Sequence, residues 1–126
     1  MDLKFHKVSS GSTHNSYGLC RYNDILQSFD FIDNHRCYGN TTSFSNFCYN
    51  CYALTKLPDN LDTSSGTDFN RFCYYCYSLT KLPDSLDTSS GTNFSDFCNS
   101  CYSLTKLPDN LVTSSGTDFI GFCAGC

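Results

Sequence analysis

Residues 69–93 read FNRFCYYCYSLTKLPDSLDTSSGTN, and the same 25-residue pattern stands on either side of them. FSNFCYNCYALTKLPDNLDTSSGTD begins at Phe44 and FSDFCNSCYSLTKLPDNLVTSSGTD begins at Phe94. A fourth unit opens with FIGFCAGC at Phe119–Cys126. Self-similarity at a fixed period marks a repeat architecture, in which each unit is one structural element unable to bury its apolar face alone. Within the unit, the fixed positions are apolar: Phe69, Phe72, Cys73, Cys76, Leu79, Leu82 and Leu86, with equivalents 25 residues away. Burying such groups yields roughly 1.5–3 kcal/mol each, whereas ordering the backbone costs about 1–2 kcal/mol per residue. A single unit loses that contest. Stacked units win it, because each covers the next and adds hydrogen bonds.

Punctuation gives the local expectations. Leu79-Thr80-Lys81-Leu82 lies between turn-rich stretches and stops at Pro83, which predicts a short strand. Proline has no donor for a ladder, so Pro58, Pro83 and Pro108 belong at strand ends. Thr88–Thr92 reads as a turn, with Gly91 the natural site of a positive φ. Asp68 or Asn93, placed before apolar residues at i, i+3, i+4 and i+7, reads as the N-cap of a short helical turn. The predicted fold class is a leucine-rich-repeat-like solenoid of 25-residue coils, each with a short parallel strand and a short helical turn. Residues 41–126 form the solenoid. Residues 1–40 form an N-terminal segment, with a capping helix over roughly 24–33, where Ile25, Leu26, Phe29 and Ile32 follow Asn23-Asp24.

Composition narrows the class further. The chain has 126 residues, 8 Lys+Arg and 12 acidic residues, all Asp, for a net charge of -4. That balance lacks the basic stripe of a nucleic-acid binder. Ala is confined to Ala53 and Ala124 and Glu is absent, so long helices are not expected. No apolar run approaches the roughly 18 residues of a membrane span, so no membrane insertion is expected. The N-terminus MDLKFHKVSSGSTHNS has no apolar core of a secretory signal.

From residue 41 onward the units resemble the BspA-like leucine-rich repeats, a bacterial surface-protein repeat of about 26 residues. In TSSGTDFNRFCYYCYSLTKL, Phe69 and Phe72 stand at that family's two Met positions and Cys73 at its Phe. Cys76, Leu79, Thr80 and Leu82 match directly. The period here is one residue shorter, and Cys73 creates a CxxC that the family lacks. The resemblance implies a right-handed solenoid for adhesion or for binding proteins and glycans, with no catalytic residues to carry over. It also implies a cell-surface or secreted setting, while the missing signal points to the cytosol or a virion.

Four CxxC pairs are the sharpest local motif: Cys48/Cys51, Cys73/Cys76, Cys98/Cys101 and Cys123/Cys126. Their spacing is close to that of a four-cysteine zinc ribbon. However, they follow Phe-x-x-Phe and not a tight turn, so a buried thiol ladder is the favoured reading. Disulfides and a metal site are the alternatives, and no cofactor is expected. Cys20 and Cys37, outside the repeat, read as thiols or as one disulfide. His6, His14 and His35 show no ligand spacing, and no nucleophile elbow or phosphate loop is present, so the chain does not read as an enzyme.

Two candidate contact surfaces remain. One is tyrosine-rich: Tyr49, Tyr52, Tyr74, Tyr75, Tyr77 and Tyr102. The other comprises a lysine column (Lys56, Lys81, Lys106) and an aspartate column (Asp59, Asp84, Asp109), read first as a mutually compensating solvated face. Threonine columns at 63/88/113 and 67/92/117 read as turn formers and caps, with ice or carbohydrate binding as an architectural analogy. Positions 45/70/95/120, 46/71/96/121, 49/74/99/124 and 50/75/100/125 vary freely, which reads first as ordinary surface drift; with Tyr, Asn, Ser, Arg and Asp among them, a palette suited to recognition is the alternative. The expected function is non-catalytic recognition or adhesion, with a protein or glycan as partner. The alternatives are a structural component of a filament or virion, self-associating through an uncapped C-terminal coil, and a zinc-binding module.

Overall fold

The computed structural model describes His14–Asn15 and residues 41–126, apart from Pro58 and Asn60. Strand β1 (His14–Asn15) pairs in parallel with β2 (Thr41–Ser43). The pairing continues as single parallel bridges, Ser43 to Asp68, Asp68 to Asn93 and Asn93 to Asp118, one per unit. The expected strand at 79–82 does not form. Parallel pairing falls instead on the residue expected as an N-cap, and Leu79–Leu82 reaches the preceding unit through Thr80, whose N–H and hydroxyl donate to Thr55 O at 3.1 and 3.3 Å. The short strand thus lies 11 residues before its expected start, counting from Asp68 to Leu79.

No helix forms among the described residues. The Phe-x-x-Phe-Cys-x-x-Cys segment, expected as a helical turn, is a run of consecutive tight turns. In the second unit, Phe72 N–H donates to Phe69 O, Tyr74 N–H to Arg71 O and Cys76 N–H to Cys73 O, all i to i−3. The intervening donors leave the unit. Phe69, Arg71, Cys73 and Tyr75 N–H donate to Asn93, Ser95, Phe97 and Asn99 O at 2.8–2.9 Å. A helix would have kept those donors for its own i−4 carbonyls. Here the neighbouring unit takes them, and the chain turns left-handed at two positions to aim them: Arg71 has φ 54° and Tyr75 φ 61°. Asp68 does supply the expected side-chain acceptor, since its Oδ1 receives Asn70 N–H at 3.0 Å, but it caps a turn run. The predicted capping helix, Cys20 and Cys37 lie outside the described residues.

The core consists of side-chain columns running through the units. Phe44, Phe69, Phe94 and Phe119 stack with ring centroids 5.5–5.6 Å apart and planes within 8°. Phe47, Phe72, Phe97 and Phe122 stack beside them at 5.3–5.4 Å. Neighbouring columns meet edge-to-face, as between Phe69 and Phe72 at 5.6 Å and 73°. Both geometries suit the aromatic quadrupole, each pair adding about 0.5–1.5 kcal/mol beyond area burial. Leu54, Leu57 and Leu61 with Leu79, Leu82 and Leu86 close the other side of the core.

Gly91 does not take the positive φ expected of it; among the described glycines only Gly121 and Gly125 do. Its lack of a side chain serves packing instead. A Cβ there would run into the Phe94 ring and sit 3.0 Å from Thr88 O, and Gly66 and Gly116 are crowded by Phe69 and Phe119 in the same way. Gly91→Ala is therefore expected to lower stability by about 1–3 kcal/mol through overpacking. A fall in the urea midpoint at unchanged slope would show it, and an unchanged midpoint would mean that the ring moves aside freely.

Candidate functional site

The six tyrosines named from sequence converge. Tyr52, Tyr77 and Tyr102 form one column, with centroids 4.8 and 5.0 Å apart and planes within 11° and 6°. Tyr49 and Tyr74 form a second, at 5.2 Å. Tyr75 joins them, lying 4.1 Å from Tyr74 and 5.8 Å from Tyr77. The result is a contiguous aromatic surface across three units. Tyr102 is 62% exposed and Tyr52 37%, while the other four are half-buried. Because the rings within each column lie face to face, neighbouring rings largely share their inner faces.

Tyr75 occupies its place against a backbone preference. Its column holds Asn50, Ser100 and Gly125 in the other units, all with positive φ. Asn and Gly tolerate that region, whereas for a bulky residue it is an outlier costing of order 1–3 kcal/mol. The tyrosine ring is the part that depends on this position. Arg71, also left-handed, places its guanidinium 5.3 Å from the Tyr74 ring centroid and 3.6 Å from an Asp96 carboxylate oxygen. Asn99 Nδ2 donates to the other oxygen of Asp96 at 2.8 Å. Arg71, Asp96 and Asn99 belong to the variable columns and not to either of the two contact surfaces expected from sequence. Their signal was the variability of their columns, which marks the exposed left-handed turn positions and their neighbours.

A hydrogen bond to Tyr75, followed by burial, pushes the Tyr74 hydroxyl up to about 12 from an ordinary 10.0. The folded state thus favours the neutral phenol. The stability this contributes is full below pH 10.0 and is lost as pH rises toward about 12. In a spectrophotometric titration, Tyr74→Phe should remove a phenol that ionises well above the ordinary 10.0. Loss of an early-titrating phenol instead would contradict the Tyr74–Tyr75 bond.

The eight repeat cysteines form two unbridged columns. Cys48, Cys51, Cys73, Cys76, Cys98 and Cys101 are buried, Cys123 is half-buried and Cys126 exposed. The second cysteine of the later three pairs has a backbone partner one unit back: Cys76 Sγ donates to Cys48 O and Cys101 Sγ to Cys73 O, both at 2.9 Å, and Cys126 Sγ to Cys98 O at 3.2 Å. Burial, then hydrogen bonds to Cys101 and Cys73, pushes the Cys76 thiol well above its usual range. Cys76 is thus a protonated thiol that donates to a carbonyl, a structural group and a poor nucleophile. Among the described residues, no group of three or more His, Cys, Asp or Glu side chains is arranged to hold a metal ion.

Lys56, Lys81 and Lys106 and Asp59, Asp84 and Asp109 are all exposed. Among the described residues, Lys81 and Lys106 form no ion pair with the aspartate column, so the expected compensation between columns is not seen for them. On the tyrosine side, an ion pair does form between Arg71 and Asp96. The threonine columns divide. Thr63 and Thr88 are buried and bond across units to Asp87 O and Val112 O. Thr67, Thr92 and Thr117 are exposed, but each hydroxyl donates to the threonine carbonyl one unit back, at 3.2–3.3 Å.

No protein-family model, curated protein or solved structure matches the chain. No helix among the described residues is long and apolar enough to cross a membrane.

Proposed function

We propose that the chain is a non-catalytic recognition module, a leucine-rich-repeat-like solenoid that binds a protein or glycan through its tyrosine surface. The observation that carries the reading is Tyr75, a bulky ring held at φ 61° where it joins two tyrosine columns into one connected group of six. Backbone strain in one unit, where Asn, Ser or Gly stands in the others, is accounted for by a role of the side chain. Tyrosine gives large contact area with little rotamer entropy to lose, and its hydroxyl supplies a polar handle. The Arg71–Asp96–Asn99 group at the rim adds directional polar contacts. The BspA-like pattern of the units supports the same reading.

The test uses the intact chain on a printed glycan array and on a peptide array. Specific signals are expected, and the pair Tyr75→Ser with Tyr77→Ser should weaken them at least about tenfold, equivalent to about 1.4 kcal/mol. Tyr75→Ser introduces the residue that Ser100 already supplies in the same column, so the fold should survive it. An array without specific signal, or signals indifferent to the double change, would overturn the proposal. Assembly that grows with concentration in sedimentation velocity would favour the structural alternative.

A further inference from the structure

Tyr52, Tyr77 and Tyr102 come from three different units, 25 residues apart in sequence, yet their rings lie in one parallel column. Tyr77 is the middle ring, 4.8 Å from Tyr52 and 5.0 Å from Tyr102. Both outer rings are exposed to solvent. The chain contains no tryptophan to act as a competing aromatic electron donor. Six of its repeat thiols are buried away from any enzyme-sized oxidant. We propose that this column is a site of oxidative phenol coupling, where a one-electron oxidant of the peroxidase class joins Tyr77 to Tyr52 or Tyr102 as an intrachain dityrosine.

The chemistry balances with hydrogen peroxide as terminal oxidant. Each of two phenols loses one electron and its hydroxyl proton to give a phenoxyl radical. The radicals combine through a new bond between ring carbons ortho to oxygen. Each of those carbons then loses its hydrogen as a proton, and each oxygen regains one, so both rings return to phenols. Two electrons and two protons have left the protein, and one peroxide has become two waters. The fold contributes proximity: a neighbouring phenol already in ring contact meets a radical at an effective concentration far above any in solution. Stacked units separated by about 4.8 Å, the spacing of hydrogen-bonded strands, also place the two backbones close enough for a direct ring-to-ring bond. The product ties two units side to side at a surface where only side-chain stacking holds the rings together. This inference goes beyond recognition and does not depend on it.

The experiment treats dilute native protein with peroxidase and hydrogen peroxide, isolates the monomer, reduces any disulfides, and maps cross-linked peptides by mass spectrometry. A link from Tyr77 to Tyr102 or Tyr52 is expected, lighter by two hydrogens and carrying dityrosine fluorescence. Tyr77→Phe keeps the stacked ring but removes the phenol shared by both pairs, so this link should vanish, whereas Tyr49→Phe should leave it in place. Unfolding the protein in urea before oxidation should lower the yield of this link at least about tenfold, because the proximity is then lost. Dityrosine confined to intermolecular dimers, or a monomer link formed equally in urea, would overturn the proposal.

Discussion

Phe72→Ala is expected to destabilise the protein by about 3–5 kcal/mol. Phe72 is fully buried and stacks on Phe47 at 5.4 Å and on Phe97 at 5.3 Å. It also meets Phe44 and Phe69 edge-on. Removing the ring leaves a cavity flanked by parallel rings of the units above and below. Those rings are held by their own turn runs and can close the gap only by bringing the units together. The backbone bonds from Phe69, Arg71, Cys73 and Tyr75 to the next unit, 2.8–2.9 Å long, resist that movement. Phe122→Ala is the internal comparison, because Phe122 is only half-buried and stacks on one side, against Phe97. Its effect should be well under half that of Phe72→Ala. Urea denaturation of both variants checks this, and equal losses would mean that unit-to-unit stacking is not what holds the core.

Thr63→Val should cost about 2–3 kcal/mol even though it changes neither size nor shape. The buried Thr63 hydroxyl donates to Asp87 O at 2.8 Å and accepts from Asp87 N–H at 3.0 Å. Valine fills the same space and satisfies neither group, leaving a donor and an acceptor stranded at the seam between units. Thr67→Val is the control. Thr42 O, the acceptor of the Thr67 hydroxyl, also receives Thr67 N–H at 2.8 Å, so it stays satisfied when the hydroxyl is lost. Its change should lie within about 0.5 kcal/mol, as for an ordinary surface substitution. Comparable losses in the two variants would contradict the assignment of Thr63 as a bridge between units.

Repetition made much of this legible in advance. A fixed 25-residue period with fixed Phe, Cys and Leu named the buried side chains, because whatever face one unit hides, its copy must hide against it. The same register put Tyr49 above Tyr74 and Tyr52 beside Tyr77, so two tyrosine columns were readable as sequence arithmetic. The spacing i, i+3, i+4, i+7 correctly named Phe69, Phe72, Cys73 and Cys76 as buried, but it pointed to a helical turn. A run of tight turns gives those side chains the same face, so their burial cannot separate the two.

The period and its fixed apolar residues thus determined by themselves which side chains are buried and which stand in line. The tertiary structure alone decided where the backbone donors go. Once a neighbouring unit offers Asn93, Ser95, Phe97 and Asn99 carbonyls, the N–H groups of Phe69, Arg71, Cys73 and Tyr75 turn outward. Arg71 and Tyr75 then become left-handed, and Tyr75 bridges the two tyrosine columns. Hydrogen bonds between units are non-local, and no residue type encodes a partner 24 positions away. Burial is written in the side chains, while the pairing of the backbone waits for the fold.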